Sequence, residues 1–488
     1  MKIRLAGFNV DTDLFKLWNP PHDVPLTPET LSAAYARISR SPLDIPQLRK
    51  QACRDVVRAR KSNQTIIFEM GHHSVAEHAV FNLDIMGVSR LALEEIERFR
   101  LASFTEKSQR YVTLKGDFVI PDEIRDPRLR ETFTGTVELQ NDFYRRCFER
   151  LREDRFGRHP ELAVRSSSRR LMEGWANEDA RYILSLATAG QVGVTINARN
   201  LEHLFRRFSL SPLEEVRKLG RKIFALIEPV APSLILFPRP SAFDAGTYSE
   251  IKRMLKPEAE VDEPSLGEKP ELVQWPENGD DIILASFLCL IRSIPFPVAL
   301  RTIRRMKIGE KEGIFRSIFG RMEFFDVPPR EFEMADVLFQ AKVSAACYAQ
   351  LKRHRMSTVL AGPYRLELGN VIPGPISRLG LGGEFRRILK RTHRVHQELK
   401  EEYGDAADYI LTNSHRRTAL VKMNLRELYH FIRLRDDEHA QWDIRNLAHG
   451  VLAQVREKMP LASMLLCGKS QFGAEFERTF RKRPKYPV

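Results

Sequence analysis

The feature that most constrains this chain is that it repeats itself. The stretches VSRLALEEIERFRLAS (Val88–Ser103) and VSAACYAQLKRHRMST (Val343–Thr358) align without a gap. YVTLKGDFVIP (Tyr111–Pro121) and YRLELGNVIP (Tyr364–Pro373) continue the match after short deletions. NARNLEHLFRR (Asn197–Arg207) and NLRELYHFIRLR (Asn424–Arg435) form a third block in the same order, which makes Arg435 the second-half equivalent of Arg207. Three blocks in one order divide the 488 residues into two related halves. The expected organisation is a first domain over 1–245, a linker over 246–280 and a second domain over 281–488. Within the linker, Lys256–Asp280 is rich in Pro, Glu and Gly and lacks hydrophobic periodicity.

The opening MKIRLAGFNVDTDLF reads as a strand. Alternating apolar residues ahead of each V-S, in EHAVFNLDIMGVS and FEMADVLFQAKVS, predict a second strand, followed by a long amphipathic helix that ends at R-x-R. Elsewhere the apolar spacing is three to four, as in LRETFTGTVELQNDFYRRCFERLRED and EFRRILKRTHRVHQELKEEY, so each half is α+β and helix-rich. Hydrophobic content of 43% with 29% charged residues is globular. There is no apolar run of membrane-spanning length and no signal-peptide pattern, so a cytoplasmic protein away from membranes is expected. The five cysteines are scattered without metal-ligand spacing; reduced thiols and no metal are expected. A net charge of +14 implies anionic partners, whether nucleotides, nucleic acid or polyanionic cofactors, and does not choose among them.

RFRLASFTEKSQRY (Arg98–Tyr111) sharpens that choice. Arg98 and Arg100 point apart on a helix and converge only where a helix gives way to a loop. Guanidinium and hydroxyl donors gathered on a loop can hold a phosphate; a basic helix end at the surface is the plainer reading.

The same residues carry a resemblance to the flavin-dependent thymidylate synthase family, whose signature is R-H-R-x-x-S-x-x-x-x-S-x-R. Here it stands as Arg98, Phe99, Arg100, Ser103, Ser108 and Arg110. GHHSVAEH (Gly71–His78) is similar to the family's G-H-x-[ST]-x-x-E-H, EDARYIL (Glu178–Leu184) to its A-R-x-x-L-P, and NARNLEHLFRR to its N-x-R-x-L block. The second half carries KRHRMST (Lys352–Thr358) and NLRELYHFIRLRDDEHAQWDIR (Asn424–Arg445). The resemblance implies two tandem copies of that family's fold, each helix-rich with a modest, mostly antiparallel sheet. It further implies reductive methylation of dUMP to dTMP with FAD as cofactor, methylenetetrahydrofolate as carbon donor and NADPH as reductant.

Carried over by position, the resemblance assigns the dUMP site to Glu95, Arg98, Glu106, Ser108, Gln109, Arg110, Arg181 and Arg207, with Arg207 and Ser108 in the catalytic role. Arg207 matches the arginine at the uracil ring and would stabilise charge on the ring as carbon 5 becomes nucleophilic. His72, Ser74 and Glu77 would line the flavin and folate region, and Arg100, Asn197, Arg199 and His203 would hold the cofactor. In the second half Arg353, His354 and Arg355 match the R-H-R that contacts FAD, and Asn424, Arg426, His430, Arg435 and His439 match the C-terminal cofactor block. Plainer roles stand beside these: Arg181 and Arg207 as helix ion-pair partners, Ser74 as a cap, His78 and His430 as interior histidines.

The departures divide between the halves. The first keeps the substrate loop but has Phe99 for the central His and Glu95 for a Gln. The second keeps R-H-R and AQWDIR, but VLAGPYR (Val359–Arg365) is too short for the loop and Asp408 replaces the arginine of A-R. A duplicated and fused protomer would form a homodimer that mimics the family's homotetramer, with surviving sites combining the first half's substrate loop and the second half's motifs. The alternatives are a repurposed flavoprotein acting on another pyrimidine nucleotide or RNA, and a non-catalytic nucleotide- or nucleic-acid-binding descendant. Retention of Ser108, Arg110, Arg181 and Arg207 together favours dUMP and folate as partners over nucleic acid.

Overall fold

Alternating burial builds one sheet from each half. The computed structural model describes residues 1–16, 26–161, 166–255 and 266–486, so 256–265 of the expected linker lie outside the described residues. Strands β1 (Lys2–Phe8), β2 (Val80–Ser89), β3 (Ala102–Glu106) and β4 (Ala189–Asn197) form an antiparallel sheet in the order β1-β2-β4-β3. Strands β5 (Glu271–Gln274), β6 (Asp336–Ser344), β7 (Thr358–Tyr364) and β8 (Arg416–Asn424) repeat it as β5-β6-β8-β7. The strand order therefore repeats along with the motifs, and each sheet is antiparallel within an α+β frame. Along β2, Phe81, Leu83 and Ile85 are buried while Asn82 and Asp84 face outward, as a strand covered on one face requires.

The copies differ in register at two places, one of them the β7–β8 ladder, which slips between Ala361 and Tyr364 where β3–β4 runs without a slip. Between Met86 and Val88 the β2–β4 pairing slips, and Gly87 sits there at φ +66°. The bulge needs a residue without a Cβ at that φ. The equivalent β6–β8 ladder runs without a slip from Asp336↔Asn424 to Ser344↔Arg416.

The helix after each V-S is shorter than its sequence pattern suggests. It spans Arg90–Ile96 in the first half and Ala345–Leu351 in the second, and is almost wholly buried. It ends before R-x-R, so those arginines leave from a turn and not from a helix face. Ser89 and Ser344 cap the two helices by accepting from Ala92 N and Cys347 N, both at 2.9 Å. Each cap is held by a carboxylate from a later helix: Glu215 on Ser89 (2.6 Å) and Asp443 on Ser344.

The described residues fall into two compact units, Met1–Asp262 with Pro373–Thr412, and Glu263–Ile372 with Asn413–Val488. In the first unit the Pro127–Arg158 helix packs antiparallel on its second-half equivalent, Gly382–Tyr403. Phe143 meets Phe385 edge-on at 5.7 Å, Gln140 Nε2 donates to Thr392 Oγ1 at 2.9 Å, and Arg146 pairs with Glu384 at 2.6 Å. The strips that follow also pair, Leu186 N to Leu411 O at 2.6 Å and Ala187 N to Tyr409 O at 2.9 Å. The Pro127–Arg158 helix also packs along the Ser166–Ala180 helix, so its equivalent covers only part of its buried surface. In the second unit Phe315, Phe319, Phe332 and Tyr429 form an aromatic cluster under β6 and β8.

Candidate functional site

In the first half the arginine-rich stretch folds as a helix end, then β3, then a loop. Val112 N bonds Ser108 O, and Ser108 Oγ accepts from Arg110 N at 3.1 Å, which fixes a tight turn. The loop borders a cleft of about 350 Å³ on the outer face of the sheet, lined among others by Asp84, Glu106, Lys107, Ser108 and Gln191. Gln109 is half-buried in the same loop.

Three ionic groups surround this loop. Glu95 takes Arg98 at 2.8 Å and Arg207 at 3.6 Å, and the Arg207 guanidinium also lies 5.9 Å over the Phe99 ring. Arg110 pairs with Glu178 at 2.8 Å, and Glu178 also attracts the buried Arg181. Burial is the largest influence on Arg181 and lowers its pKa, with Arg110 and Arg90 acting in the same direction. Tyr182 and Glu178 act against that lowering. The third group is Glu106 with Arg90, 2.6 Å apart and both nearly sealed from solvent. Burial alone would lower the Arg90 pKa, but Glu106, Glu94 and Glu97 together raise it. Sequence reasoning passed over Arg90; its only signal was the contrast with Ala345 at the same repeat position.

The remaining first-half candidates are spread along neighbouring elements. His72 and Ser74 are exposed, and His72 Nε2 lies 3.3 Å from Arg40 Nη2. Glu77 pairs with Arg199 at 2.5 Å. Asn197 caps the Ala198–Ser209 helix, accepting from Asn200 N at 2.9 Å. His203 is exposed on that helix, with its pKa lowered by partial burial first, and Arg100 is exposed at the turn.

The second half organises the corresponding residues differently. His354 is 3% exposed, and its Nε2 accepts from Arg435 Nε at 3.0 Å. An acceptor at Nε2 places the proton of the neutral ring on Nδ1, which lies 3.4 Å from Glu427 Oε1. Burial, then Arg435, then His430 hold the His354 pKa well below the usual histidine range, and burial raises that of Glu427. Arg435 Nη2 also donates to the Gln350 carbonyl at 3.3 Å, and Gln350 Nε2 donates to Gln441 Oε1 at 3.1 Å. The central His of R-H-R is therefore turned into the protein, where it orients Arg435. Arg353 is half-buried and Arg355 exposed on either side of it.

The other second-half candidates are structurally engaged. Asn424 caps its helix through Glu427 N at 2.8 Å; Arg426 binds Pro328 O at 2.8 Å and Glu333 at 3.2 Å. His430 is exposed, and His439 is exposed beside Asp437 at 3.0 Å. Asp408, where the first half has Arg181, bonds His396 at 3.0 Å.

One positional equivalence needs correction. Asn197 and Asn424 are the N-caps of equivalent helices, and eleven residues beyond them stand Phe208 and Arg435. The counterpart of Arg435 is therefore Phe208, not Arg207. Phe208 is buried and meets Phe99 edge-on at 6.0 Å, so two phenyl rings occupy the places of the His354–Arg435 pair. Arg207 points outward, one residue earlier.

Comparison with known proteins follows the repeat. The thymidylate synthase complementing protein family matches the chain twice, over residues 23–233 and 272–461. A flavin-dependent thymidylate synthase of Geobacter sulfurreducens is 29% identical over 243 residues, which is 47% of this chain and 94% of that protein. A UPF0159 protein of Thermoplasma acidophilum is 23% identical over 464 residues, 83% of this chain and 87% of its own length, and so spans both halves. A Helicobacter pylori thymidylate synthase X solved with FAD and dUMP is similar at 19% identity and a TM-score of 0.31, covering 48% of this chain and 97% of that one.

Proposed function

The chain belongs to the thymidylate synthase complementing protein family, and from that premise we propose that it is a methyltransferase converting dUMP to dTMP with FAD, methylenetetrahydrofolate and NADPH. The observation that carries the reading is the loop from Arg98 to Arg110 with the buried Arg181. Lys107 and Ser108 of this loop line an open cleft, and Arg110, two residues beyond Ser108, stands next to it in the chain with its guanidinium held by Glu178, a donor set that suits a nucleotide phosphate.

Arg98, Ser108 and Arg110 hold the phosphate, Glu106, Gln109 and Arg181 complete the nucleotide pocket, and Glu95 sets the orientation of Arg98. The role at the pyrimidine ring moves from Arg207 to Arg435. A guanidinium fixed by a neutral histidine is already oriented when negative charge develops on the ring, so little reorganisation is needed during reaction. The donor set suits a flavin dinucleotide: Arg353 and Arg355 offer the fork that a pyrophosphate takes, with His72, Arg199 and His203 available in the first half. Bound FAD supplies the redox chemistry, and the protein binds, orients and excludes water. The turnover requires the first half's phosphate loop and the second half's His354–Arg435 pair. The working form is a homodimer, which light scattering tests as twice the 56.4 kDa chain mass.

The test of the function is release of tritium from carbon 5 of labelled dUMP, with all three co-reactants supplied. Release that depends on each of them is the expected result. Bound flavin without release from dUMP under any reductant favours the second reading, a flavoprotein for another pyrimidine. Phe99 and Phe208 are the residues that would support it.

A further inference from the structure

A second cleft, of about 320 Å³, lies in the N-terminal helices, away from the nucleotide loop; Arg37, Arg40, Arg58 and Lys61 line it with Ser62 and Thr65. Arg37 and Arg40 come from the end of the Glu29–Arg37 helix and the turn after it; Arg58, Lys61 and Ser62 come from the Val56–Gln64 helix. Among the described residues none of these four cations pairs with a carboxylate. Elsewhere in the same unit Arg49, Arg60, Arg90 and Arg199 each meet one. The acidic residue nearest in chain, Asp55, caps the helix by accepting from Arg58 N at 2.8 Å. Arg37 donates instead to Ser62 Oγ (3.2 Å) and the Arg58 carbonyl (3.4 Å), and burial followed by the Arg58 charge lowers its pKa.

These four cations have no carboxylate in contact among the described residues, Asp55 acting on Arg37 only through space, and the excess positive charge favours an anion. Their arrangement is a row: Arg58, Lys61 and Thr65 lie along one helix face for about 10 Å, with Arg37 and Arg40 opposite. A row fits a chain with a charge on each unit better than one compact phosphate. No aromatic residue lines the cleft, so it offers nothing on which nucleic-acid bases could stack. At one end Arg40 reaches His72 of the motif placed at the flavin and folate region.

We propose that this cleft binds the oligo-γ-glutamyl tail of the folate substrate, an inference that rests on the folate reading above. The full chain is tested in two ways. Fluorescently labelled penta-γ-glutamate alone should bind, and a double Arg58→Gln, Lys61→Gln variant should weaken it by about tenfold or more. Arg58→Lys, which keeps the charge, should retain binding, as should Arg4→Gln on the exposed face of β1 as a control for general charge. Separately, the ratio of KM for mono- and pentaglutamyl methylenetetrahydrofolate should be about ten or more in the parent and collapse towards one in the double variant. Turnover with equal KM for both folates, or equal weakening by Arg4→Gln, overturns the tail site and leaves the proposed reaction standing. Binding of the peptide that depends on Arg58 and Lys61, without any turnover of dUMP, overturns the reaction and leaves an oligocarboxylate site. Tighter binding of a short oligonucleotide than of the peptide overturns the proposal in favour of nucleic acid.

Discussion

At four equivalent positions the two halves differ together. The second half has Gln350, His354, Arg435 and Gln441, joined by hydrogen bonds. The first has Glu95, Phe99, Phe208 and Leu213, with the two phenyl rings in contact, Leu213 buried, and Glu95 turned to surface arginines. The frames around them agree, down to the capping serine and the carboxylate that holds it. A buried polar network is stable only when every member is satisfied, so it is kept or lost as a set. A His or an Arg left facing a Phe at these places would be an unsatisfied polar group at a partly buried site, and two apolar residues restore the packing. On the proposed function, the first-half copy does not serve the ring chemistry and its loop from Arg98 to Arg110 holds the phosphate.

The largest expected effect lies where the halves agree. The Glu215 carboxylate accepts from Ser89 N, Ser89 Oγ and Tyr409 Oη, at 2.9, 2.6 and 2.7 Å. Glu215→Ala leaves these buried donors without an acceptor, and urea unfolding should show a loss of about 3 kcal/mol or more. The same residue carries a pH signature. Burial raises its pKa above the usual 4.5, against the hydrogen bonds from Ser89 and Tyr409. In that interval the folded state holds the proton more tightly than the unfolded one, so the contribution is fully present below 4.5 and is lost as pH rises through the raised value. Glu215→Gln should flatten the fall in stability over that window, measured by urea midpoints from pH 4 to 8; an unchanged slope assigns it elsewhere.

Next in size is the coupling within the polar set. His354→Phe and Arg435→Leu should each cost about 2 kcal/mol, and the double variant about 1 kcal/mol less than their sum, because the second change removes the group orphaned by the first. Strict additivity would separate the pair. The smallest effect belongs to the half-buried Glu95–Arg98 contact near the surface: Arg98→Ala should change stability by under about 1 kcal/mol while weakening dUMP binding. A large loss of stability there would make the stretch structural.

The repeat, the strands β1, β2 and β6, and the α+β class were legible because alternation and block order are written in the residues themselves. The helix before R-x-R was misjudged in length: its apolar pattern comes from being enclosed on all sides, which periodicity cannot distinguish from a longer amphipathic helix. The inward turn of His354 was not legible, since its partners Arg435 and Glu427 lie more than seventy residues away and act only through the fold. The Arg207–Arg435 equivalence failed by one residue because two adjacent arginines blur a register that the capping asparagines fix. Arg90 was overlooked because its partner Glu106 becomes a neighbour only when the chain turns back as β3.

The most direct measurement is tritium release from carbon 5 of dUMP by Arg435→Leu and Arg207→Ala, each checked for flavin content. If the second half's histidine-held arginine serves the ring, Arg435→Leu should fall by about a hundredfold or more in turnover while Arg207→Ala stays within about tenfold of the parent. An inactive Arg207→Ala beside an active Arg435→Leu would contradict it and return the ring chemistry to the first half.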